Sequence, residues 1–192
     1  MKRTYYSILA TAILAVIIAA CGGRSGSGGG SGSKNSAKIT MTTEESGISF
    51  ILAGSGVATV DWGDGSEKIS LTLNENGVYF RHTYPNASIR TIIINGDNIM
   101  GLHCDGITSL DVSRCTELKS LSISGSLITS LDVSKNTALT NLGVGGQLTS
   151  SALNALFRTL HNNAGEKRIW ISNNPGSNDC DRSIAESKGW TF

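Results

Sequence analysis

The sequence predicts a mainly β protein with a C-terminal helix, in which a small β-sandwich-like domain precedes a short repeat solenoid with a helical cap. Three observations lead to this prediction. Apolar and polar residues alternate in short runs over residues 37–96. A pattern between 107 and 144 occurs twice at a constant offset, and apolar residues from 153 to 160 recur at helical spacing.

The N-terminus has the three parts of a secretory signal: basic Lys2 and Arg3, a mainly apolar run over 8–20, and a small-residue end. As a helix this run would rise only about 20 Å, which is too short for a bilayer core of roughly 30 Å. The run closes with Ile18-Ala19-Ala20-Cys21, which resembles the lipobox of bacterial lipoproteins. The resemblance implies that the signal peptide 1–20 is removed and that Cys21 becomes a diacylated first residue.

The segment that follows Cys21 is composed almost entirely of glycine and serine up to residue 36. Such a composition buries too little surface to fold and is typical of a flexible tether, with an r.m.s. span of about 20 Å here. We therefore assign 21–36 to a lipidated cysteine and its tether. The alternative is simple spacing with no further role.

The next unit, 37–96, contains short alternating runs that predict strands. One run ends in Trp62-Gly63-Asp64-Gly65, a hairpin turn signal, and another ends in His82-Thr83-Tyr84. This pair of motifs resembles β-sandwich domains of the polycystic-kidney-disease (PKD) type. The resemblance implies that Trp62 and Tyr84 pack in the core, and that the unit is an exported spacer or adhesion module.

Candidate chemistry in this unit is confined to Asp61, Asp64 and His82. The two carboxylates are weak candidates for a Ca²⁺ site, and a carboxylate–histidine pair can act as acid and base in a hydrolase. The alternative that we favour is structural, with Asp64 bonded to its own turn and His82 ordering the hairpin. No nucleophile or oxyanion site accompanies the cluster, so we predict no enzymatic activity, no metal and no cofactor.

The most specific pattern in the chain is a repeat. ITSLDVS at 107–113 returns as ITSLDVS at 128–134, and LKSLSI at 118–123 returns as LTNLGV at 139–144 with the same offset. This period lies in the range of leucine-rich repeats. It resembles the leucine-rich repeats of bacterial surface proteins of the BspA type. Each turn of such a repeat points its apolar residues inward, so that stacked turns share one core and form a leucine-rich-repeat solenoid.

The repeat region is assigned to 97–149. Two clear turns are fewer than the roughly three units that a repeat stack needs. Residues 98–103 supply a degenerate earlier turn, in which Met100 is matched to Leu121. The β-domain is then expected to close the N-terminal end of the stack.

Polar positions of the repeat also have predicted roles. Asn136 occupies the position where such repeats keep buried amides that bond to backbone groups, and Cys115 replaces it one turn earlier. Asp111 and Asp132 are expected to be neighbours in successive turns and to cap their local backbone.

Residues 150–192 are predicted to form a C-terminal cap. Thr149 or Ser150 is a candidate N-cap for its helix. His161 follows the end of this helix and is expected to interact with the helix dipole. The helix has one apolar face, made by Leu153, Leu156, Phe157 and Leu160.

A ligand site in a solenoid lies on outward-facing strand residues, because the inward ones form the core. Strand alternation gives one face that is flat, small and nearly uncharged; it contains Gly101, His103, Ser122, Ser124, Gly143, Gly145, Trp170 and Ser172. Its candidate ligand-binding residues are His103, Ser122, Ser124, Trp170 and Ser172. Trp170 can stack a sugar ring or receive a protein partner. The alternative is a solvated face on which the C-terminal tail covers Trp170.

Besides Cys21 the chain has three cysteines, Cys104, Cys115 and Cys180. An odd number cannot pair completely, and no two of them have the CxxC spacing of a metal site. Bridges from Cys104 to Cys115 or to Cys180 are conceivable. We expect these cysteines to be mostly free and buried.

Charge excludes one class of partner. Lys2 and Arg3 belong to the predicted signal peptide, which leaves 14 basic and 15 acidic residues with no basic patch. Nucleic acid is therefore not an expected partner. We predict a non-enzymatic, membrane-anchored binding or adhesion protein that recognises protein or glycan through its repeat surface. The alternative is a structural or accessory subunit of an envelope complex.

The predicted location is the cell envelope of a Gram-negative bacterium, with the lipid in the outer membrane. Two orientations remain open. No acidic residue directly follows Cys21, which favours the periplasmic side. Proteins with BspA-type repeats are known from cell surfaces, which favours the outside.

Overall fold

A computed structural model describes residues 37–192 of the chain. The predicted signal peptide 1–20, the lipidation site Cys21 and the rest of the tether lie outside the described residues. Within 37–192 the fold is mainly β, with two sheets and a small C-terminal helix, so the predicted fold class is confirmed at this level. No helix among these residues combines the length and the apolar character needed to cross a membrane.

The strands and helices follow each other along the chain in a simple order. They are β1 (Ala37–Thr43), β2 (Gly47–Gly54), β3 (Val57–Asp61), β4 (Ile69–Thr72), β5 (Val78–Thr83), β6 (Arg90–Gly96), β7 (Ile99–Asp105), β8 (Ile107–Asp111), β9 (Ser120–Ser124), β10 (Asn141–Val144), α1 (Ser150–Thr159), β11 (Lys167–Trp170), α2 (Ser183–Glu186) and β12 (Trp190–Thr191).

The first sheet has five antiparallel strands in the order β4-β3-β6-β1-β8. Its inner face follows the predicted alternation. Ile39 pairs with Ile94, and Met41 pairs with Ile92 on one side and Leu110 on the other. Ile39, Met41, Ile92 and Ile94 are fully buried, because every second residue of these strands points into the core.

The second sheet has seven strands in the order β12-β11-β10-β9-β7-β2-β5. The strands β7, β9, β10, β11 and β12 are parallel, while β2 runs antiparallel between β5 and β7. The repeat period places Leu121 beside Leu142 in register. The sheet crosses the predicted boundary at residues 96 and 97, and a single buried apolar cluster runs from Ile39 to Trp190.

The first parallel strand differs from the prediction by two residues. Leu102, not Met100, pairs with Leu121, so the match of Met100 to Leu121 is wrong. The physical reason is burial: Leu102 and Cys104 point into the core, whereas Met100 is only half-buried. The stretch of chain from Leu102 to Leu121 is consequently two residues shorter than the stretch from Leu121 to Leu142.

Two turns at equivalent positions of the repeat have the same hydrogen bonds. The Asp111 carboxylate accepts a bond of 2.8 Å from the Ser113 N–H, and Asp132 accepts one of the same length from Ser134. The predicted backbone capping by both aspartates is therefore confirmed. Each aspartate fixes the chain direction just before a buried valine, so successive turns leave their strand positions alike.

A buried amide connects these turns. The Asn136 side chain donates to the carbonyl oxygens of Val112 and Cys115, at 2.9 and 2.8 Å. Asn136 is 1% exposed, so water cannot replace these bonds without opening the core. Cys115 lies buried 21 residues earlier, at the corresponding place of the preceding turn. The predicted structural roles of both residues are confirmed.

All three cysteines in the described residues are free, and neither bridge that the sequence allowed is formed. Cys104 and Cys115 are buried and Cys180 is half-buried, in agreement with the prediction. Burial raises the pKa of the Cys115 thiol to about 12 and also raises that of Cys104. Both thiols are therefore neutral packing groups at physiological pH.

The helix α1 begins with the predicted cap and ends with one that was not predicted. The Thr149 hydroxyl accepts from the Ala152 N–H at 3.3 Å. At the other end, the Lys188 ammonium donates to the carbonyls of Phe157, Arg158 and Leu160, at 3.1, 2.6 and 2.7 Å. Carbonyls at the end of a helix lack partners within it, so Lys188 supplies them and neutralises the negative end of the helix dipole.

The predicted role of His161 at this helix end is wrong. Leu160 is extended, with ψ of 139°, so the chain turns away from the helix axis before His161. The His161 Nε2–H instead donates to the Leu139 carbonyl at 2.6 Å, which joins the cap to the preceding turn.

We predict that Lys188→Met destabilises the protein by about 1 kcal/mol, since methionine keeps the apolar stem but removes all three hydrogen bonds to the helix end. Urea denaturation followed by circular dichroism measures this change. Lys135→Met is the matched control, because Lys135 is exposed. Equal stability of the two variants would contradict the capping role.

Candidate functional site

The predicted binding face lies on the outer side of the parallel strands. Leu121 and Ile123 are buried in the core, so Ser120, Ser122 and Ser124 point to the opposite side of β9. Pairing in register then forms a row across four strands, made of His103, Ser122, Gly143 and Trp170. With strands about 4.8 Å apart, this row is about 14 Å long.

The predicted contact residues differ in how far they reach solvent. Trp170 is 38% exposed and Ser172 is exposed, whereas His103 and Ser124 are half-buried. Ser122 is only 3% exposed and forms the floor of the face. The face is therefore a shallow surface with a low floor between larger side chains.

The C-terminal tail does not cover Trp170. The last strand, β12, pairs only with Lys167 and Arg168 and stops short of Trp170. Trp190 turns into the core, where its indole N–H donates to the His161 carbonyl at 2.9 Å. The Trp170 indole is thus an exposed aromatic group at the end of the row.

A second row runs beside the first, and sequence reasoning predicted only its first residue, Gly101. Gly101, Ser120, Asn141 and Arg168 pair in register across the same four strands. Ser120 is 5% exposed, while Arg168 is exposed two residues before Trp170 on the same strand. The available signal was strand parity, because a residue two positions from a predicted face residue shares its face.

Neither Ser120 nor Ser122 has a hydrogen-bond partner for its hydroxyl among the described residues. The Cβ that a side chain at Gly143 would carry comes within 3.5 Å of the Ser122 Oγ, which places this hydroxyl beside the bare backbone of β10. The floor therefore offers two unoccupied donor and acceptor groups.

The first row continues beyond the parallel strands. His103 pairs with Ile51, and Ile51 pairs with Tyr79 on the edge strand β5. Tyr79 is 58% exposed. One face of the seven-stranded sheet thus has an exposed aromatic residue on β5 and another on β11.

A third group of polar residues borders the face. The Ser124 hydroxyl donates to the Asp105 carboxylate, and the His103 Nε2 lies 3.8 Å from the same oxygen. Because Asp105 stands between the serine and the histidine, the histidine is not placed to take a proton from the serine. The group therefore serves as a polar border and lacks the geometry of an activated nucleophile.

The motifs that resemble PKD domains meet in one cluster. The Trp62 and His82 rings stack at 4.9 Å, and the Tyr84 hydroxyl donates to the Trp62 carbonyl at 2.9 Å. Trp62 and Tyr84 are both buried, as the resemblance implies. His82 Nε2 donates to the Asp64 carboxylate at 2.7 Å, so the favoured structural role of His82 is supported by its contacts.

The two weak cation candidates have separate partners. Asp61 accepts from the Gly63 N–H at 3.0 Å and pairs with Lys68 at 3.0 Å. Asp64 accepts from the Ser66 N–H at 3.0 Å, within its own turn as expected. In the described chain no three histidine, cysteine or acidic residues are grouped so that they could hold a metal ion.

Asp64 makes the stability of this cluster depend on pH. Hydrogen bonds from Ser66 and His82 hold the pKa of Asp64 well below its usual value of 3.8. A carboxyl group with a lowered pKa in the folded state stabilises the protein above about pH 4, and loses this effect as the pH falls further.

We therefore predict that Asp64→Asn lowers the melting temperature at pH 7, and that the difference from the unmodified chain shrinks below pH 4. Thermal melts from pH 2.5 to 7 measure this dependence. The control is Asp97→Asn, since Asp97 is exposed. A difference that stays constant over the whole range would show that the charge of Asp64 is not involved.

No family model, no curated protein and no solved structure matches this chain.

Proposed function

We propose that this chain is a lipoprotein of the bacterial cell envelope that binds a protein or glycan without catalysis. In this proposal Cys21 carries the lipid, 37–96 is a PKD-like domain, 97–149 is a short leucine-rich-repeat solenoid, and 150–192 caps it. The outer face of the parallel strands is the binding surface.

One observation carries the proposal: the row from His103 to Trp170 is flat, in register and open to solvent at the Trp170 end. Ser122 and Gly143 are small, so the middle of the row is lower than its Trp170 end. An exposed tryptophan beside a flat floor provides the large contact area on which binding sites depend.

The shared hydrogen bonds of the turns at Asp111 and Asp132 support the solenoid proposal, as does the Asn136 amide that joins two turns. A repeat architecture stabilises neighbouring turns through such pairwise contacts.

A glycan array combined with a screen of envelope and host proteins, using the full chain in detergent, tests the binding proposal. Trp170→Ala is expected to weaken the observed binding at least tenfold, since aromatic residues dominate such surfaces. Phe192→Ala is the matched control, because Phe192 is 39% exposed and its ring packs on Phe157 in the cap, away from the face. Binding that survives Trp170→Ala would remove this face from the proposal.

Metabolic labelling with an alkyne fatty acid tests the anchor. Cys21→Ser is expected to abolish the label and to release the chain from membranes. Cys180→Ser should retain both, and is a suitable control because Cys180 is the most accessible of the three other cysteines. Protease treatment of intact cells then distinguishes a surface-exposed domain from a periplasmic one.

A second candidate, a structural subunit of an envelope complex, is favoured by a different surface. Val57, Ile69 and Leu71 on β3 and β4 are 51%, 38% and 37% exposed, and β4 is an edge strand of the first sheet. Exposed apolar residues on a strand edge suit pairing with another protein. Co-purification from solubilised membranes tests this candidate, and a chain that elutes alone would contradict it.

A further inference from the structure

We propose that the ligand of this face is an acidic oligosaccharide, whose sugar ring stacks on Trp170 and whose carboxylate pairs with Arg168. This inference rests on the proposed function and names its ligand class. The residues that carry it are Arg168, Ser120 and Ser122. The sequence predicted neither the unpaired charge of Arg168 nor the unpaired hydroxyls of the two serines.

The geometry of β11 brings the two recognition groups together. Arg168 and Trp170 are two residues apart on one strand, so both point outward on the same side, about 7 Å apart along the chain. That separation is comparable to the distance from the centre of a pyranose ring to a carboxylate of the next sugar. Two linked sugars can therefore contact both side chains.

The Arg168 guanidinium has no salt bridge or hydrogen bond to any described residue. A guanidinium presents a planar set of donors that matches a carboxylate, and in solution only water satisfies it. The only carboxylate of the border group, Asp105, is already bonded to Ser124 at the other side of the face. The charge of Arg168 is therefore available to an anionic ligand at the Trp170 end of the face.

The floor between these groups suits sugar hydroxyls. Ser120 and Ser122 are 5% and 3% exposed, yet their hydroxyls have no partner among the described residues. A ligand that covers such hydroxyls without bonding to them leaves them unpaired at a cost, whereas one that donates and accepts hydrogen bonds avoids it. Sugar hydroxyls do both, while an apolar protein side chain would leave the two serines unpaired.

The flatness of the floor also favours a sugar chain over a protein. Gly143 adds no side chain between Ser122 and Trp170, so this part of the row is lower than the exposed Trp170 at its end. The row continues through His103 and Ile51 to the exposed Tyr79. From Trp170 to Tyr79 the six strands span about 24 Å, which is enough for four or five linked sugars.

Matched pairs of oligosaccharides test the inference. The probes are hexamers of mannuronate, hexamers of galacturonate and a hyaluronan hexasaccharide, each paired with its carboxyl-reduced form, which differs only in charge. Calorimetric titration of the full chain in detergent is expected to give at least tenfold tighter binding for an acidic form than for its reduced partner. A tenfold change corresponds to about 1.4 kcal/mol, the lower end for a hydrogen bond to a charged group.

Variants separate the contributions of charge and stacking. Arg168→Gln should remove the preference for the acidic form and its dependence on salt. Arg114→Gln should leave both unchanged, since Arg114 is exposed on a turn outside the face. Trp170→Ala should weaken the acidic and reduced forms by the same factor.

The outcomes distinguish the inference from the function on which it rests. If acidic and reduced forms bind equally and Arg168→Gln has no effect, the acidic ligand is wrong while glycan binding by the face stands. If no oligosaccharide of any pair binds, the inference is overturned, and the protein screen with Trp170→Ala then decides the proposed function alone. An acidic preference that survives Arg168→Gln would also overturn the inference.

Discussion

Replacing Trp62 by alanine is expected to lower the free energy of unfolding by about 3–5 kcal/mol, the range for large aromatic residues in a core. Trp62 is 1% exposed and lies between the rings of Phe50 and His82, with centroids at 5.6 and 4.9 Å. Alanine would leave a cavity under both rings. Because His82 bonds to Asp64, the loss of its stacking partner also weakens that hydrogen bond.

A second substitution at this position separates packing from hydrogen bonding. The Trp62 indole N–H is buried without a hydrogen-bond partner in the described chain. Trp62→Phe therefore breaks no hydrogen bond of the side chain and should be much less damaging than Trp62→Ala. Urea denaturation of both variants measures the difference, with the exposed Tyr79→Ala as a control expected to change stability by less than about 0.5 kcal/mol. Equal losses for phenylalanine and alanine would contradict this account.

Local patterns were sufficient to predict most elements of the fold. Alternation located β1, β2 and β6, the repeat period located β9 and β10, and the apolar spacing located α1. These signals are local because each strand or helix must bury every second or every third to fourth residue. They contain no information about which strand pairs with which.

The pairing of distant strands could not be read from such patterns. β1 pairs with β8, and β2 pairs with β7, although several other strands lie between the partners along the chain. These pairs join the two predicted domains into one core. The misplaced Met100 has the same origin, because the length of a turn sets the register and a two-residue deletion preserves the alternation.

The site was predicted only in part, because local patterns do not show which distant strands contribute to one face. Strand alternation correctly predicted that His103, Ser122 and Trp170 point to the same side of the sheet. It gave no indication that the hydroxyls of Ser120 and Ser122 lack hydrogen-bond partners. That property depends on neighbours from three strands. Tyr79 was missed because β5 is distant in sequence and joins the face only through β2.

The structural role of Asn174 could not be predicted from the sequence. The residue lies in Asn173-Asn174-Pro175-Gly176, a pattern that indicates only a turn. Its amide nitrogen donates to the carbonyls of Val144 and Ile171, at 2.7 and 2.9 Å. Its carbonyl oxygen accepts from two further backbone N–H groups, those of Gly146 and Leu148, at 2.9 and 3.2 Å. Asn174 thus holds the end of β10, the end of β11 and the entry to α1 in one arrangement.

We expect Asn174→Ala to lower the free energy of unfolding by about 3 kcal/mol or more, since it removes four hydrogen bonds to backbone groups. The Ile171 carbonyl still accepts from the Ser177 hydroxyl at 2.7 Å, and each of the other three groups loses the amide at a cost of about 1–3 kcal/mol before water and relaxation offset part of it. Asn136→Ala removes only two such bonds, and the Asn136 carbonyl oxygen has no partner, so its effect should be about half as large. Denaturation of both variants beside the exposed Asn76→Ala measures the order. A larger loss for Asn136→Ala would show that the position of a turn in the stack, and not the number of bonds to its amide, determines its contribution to stability.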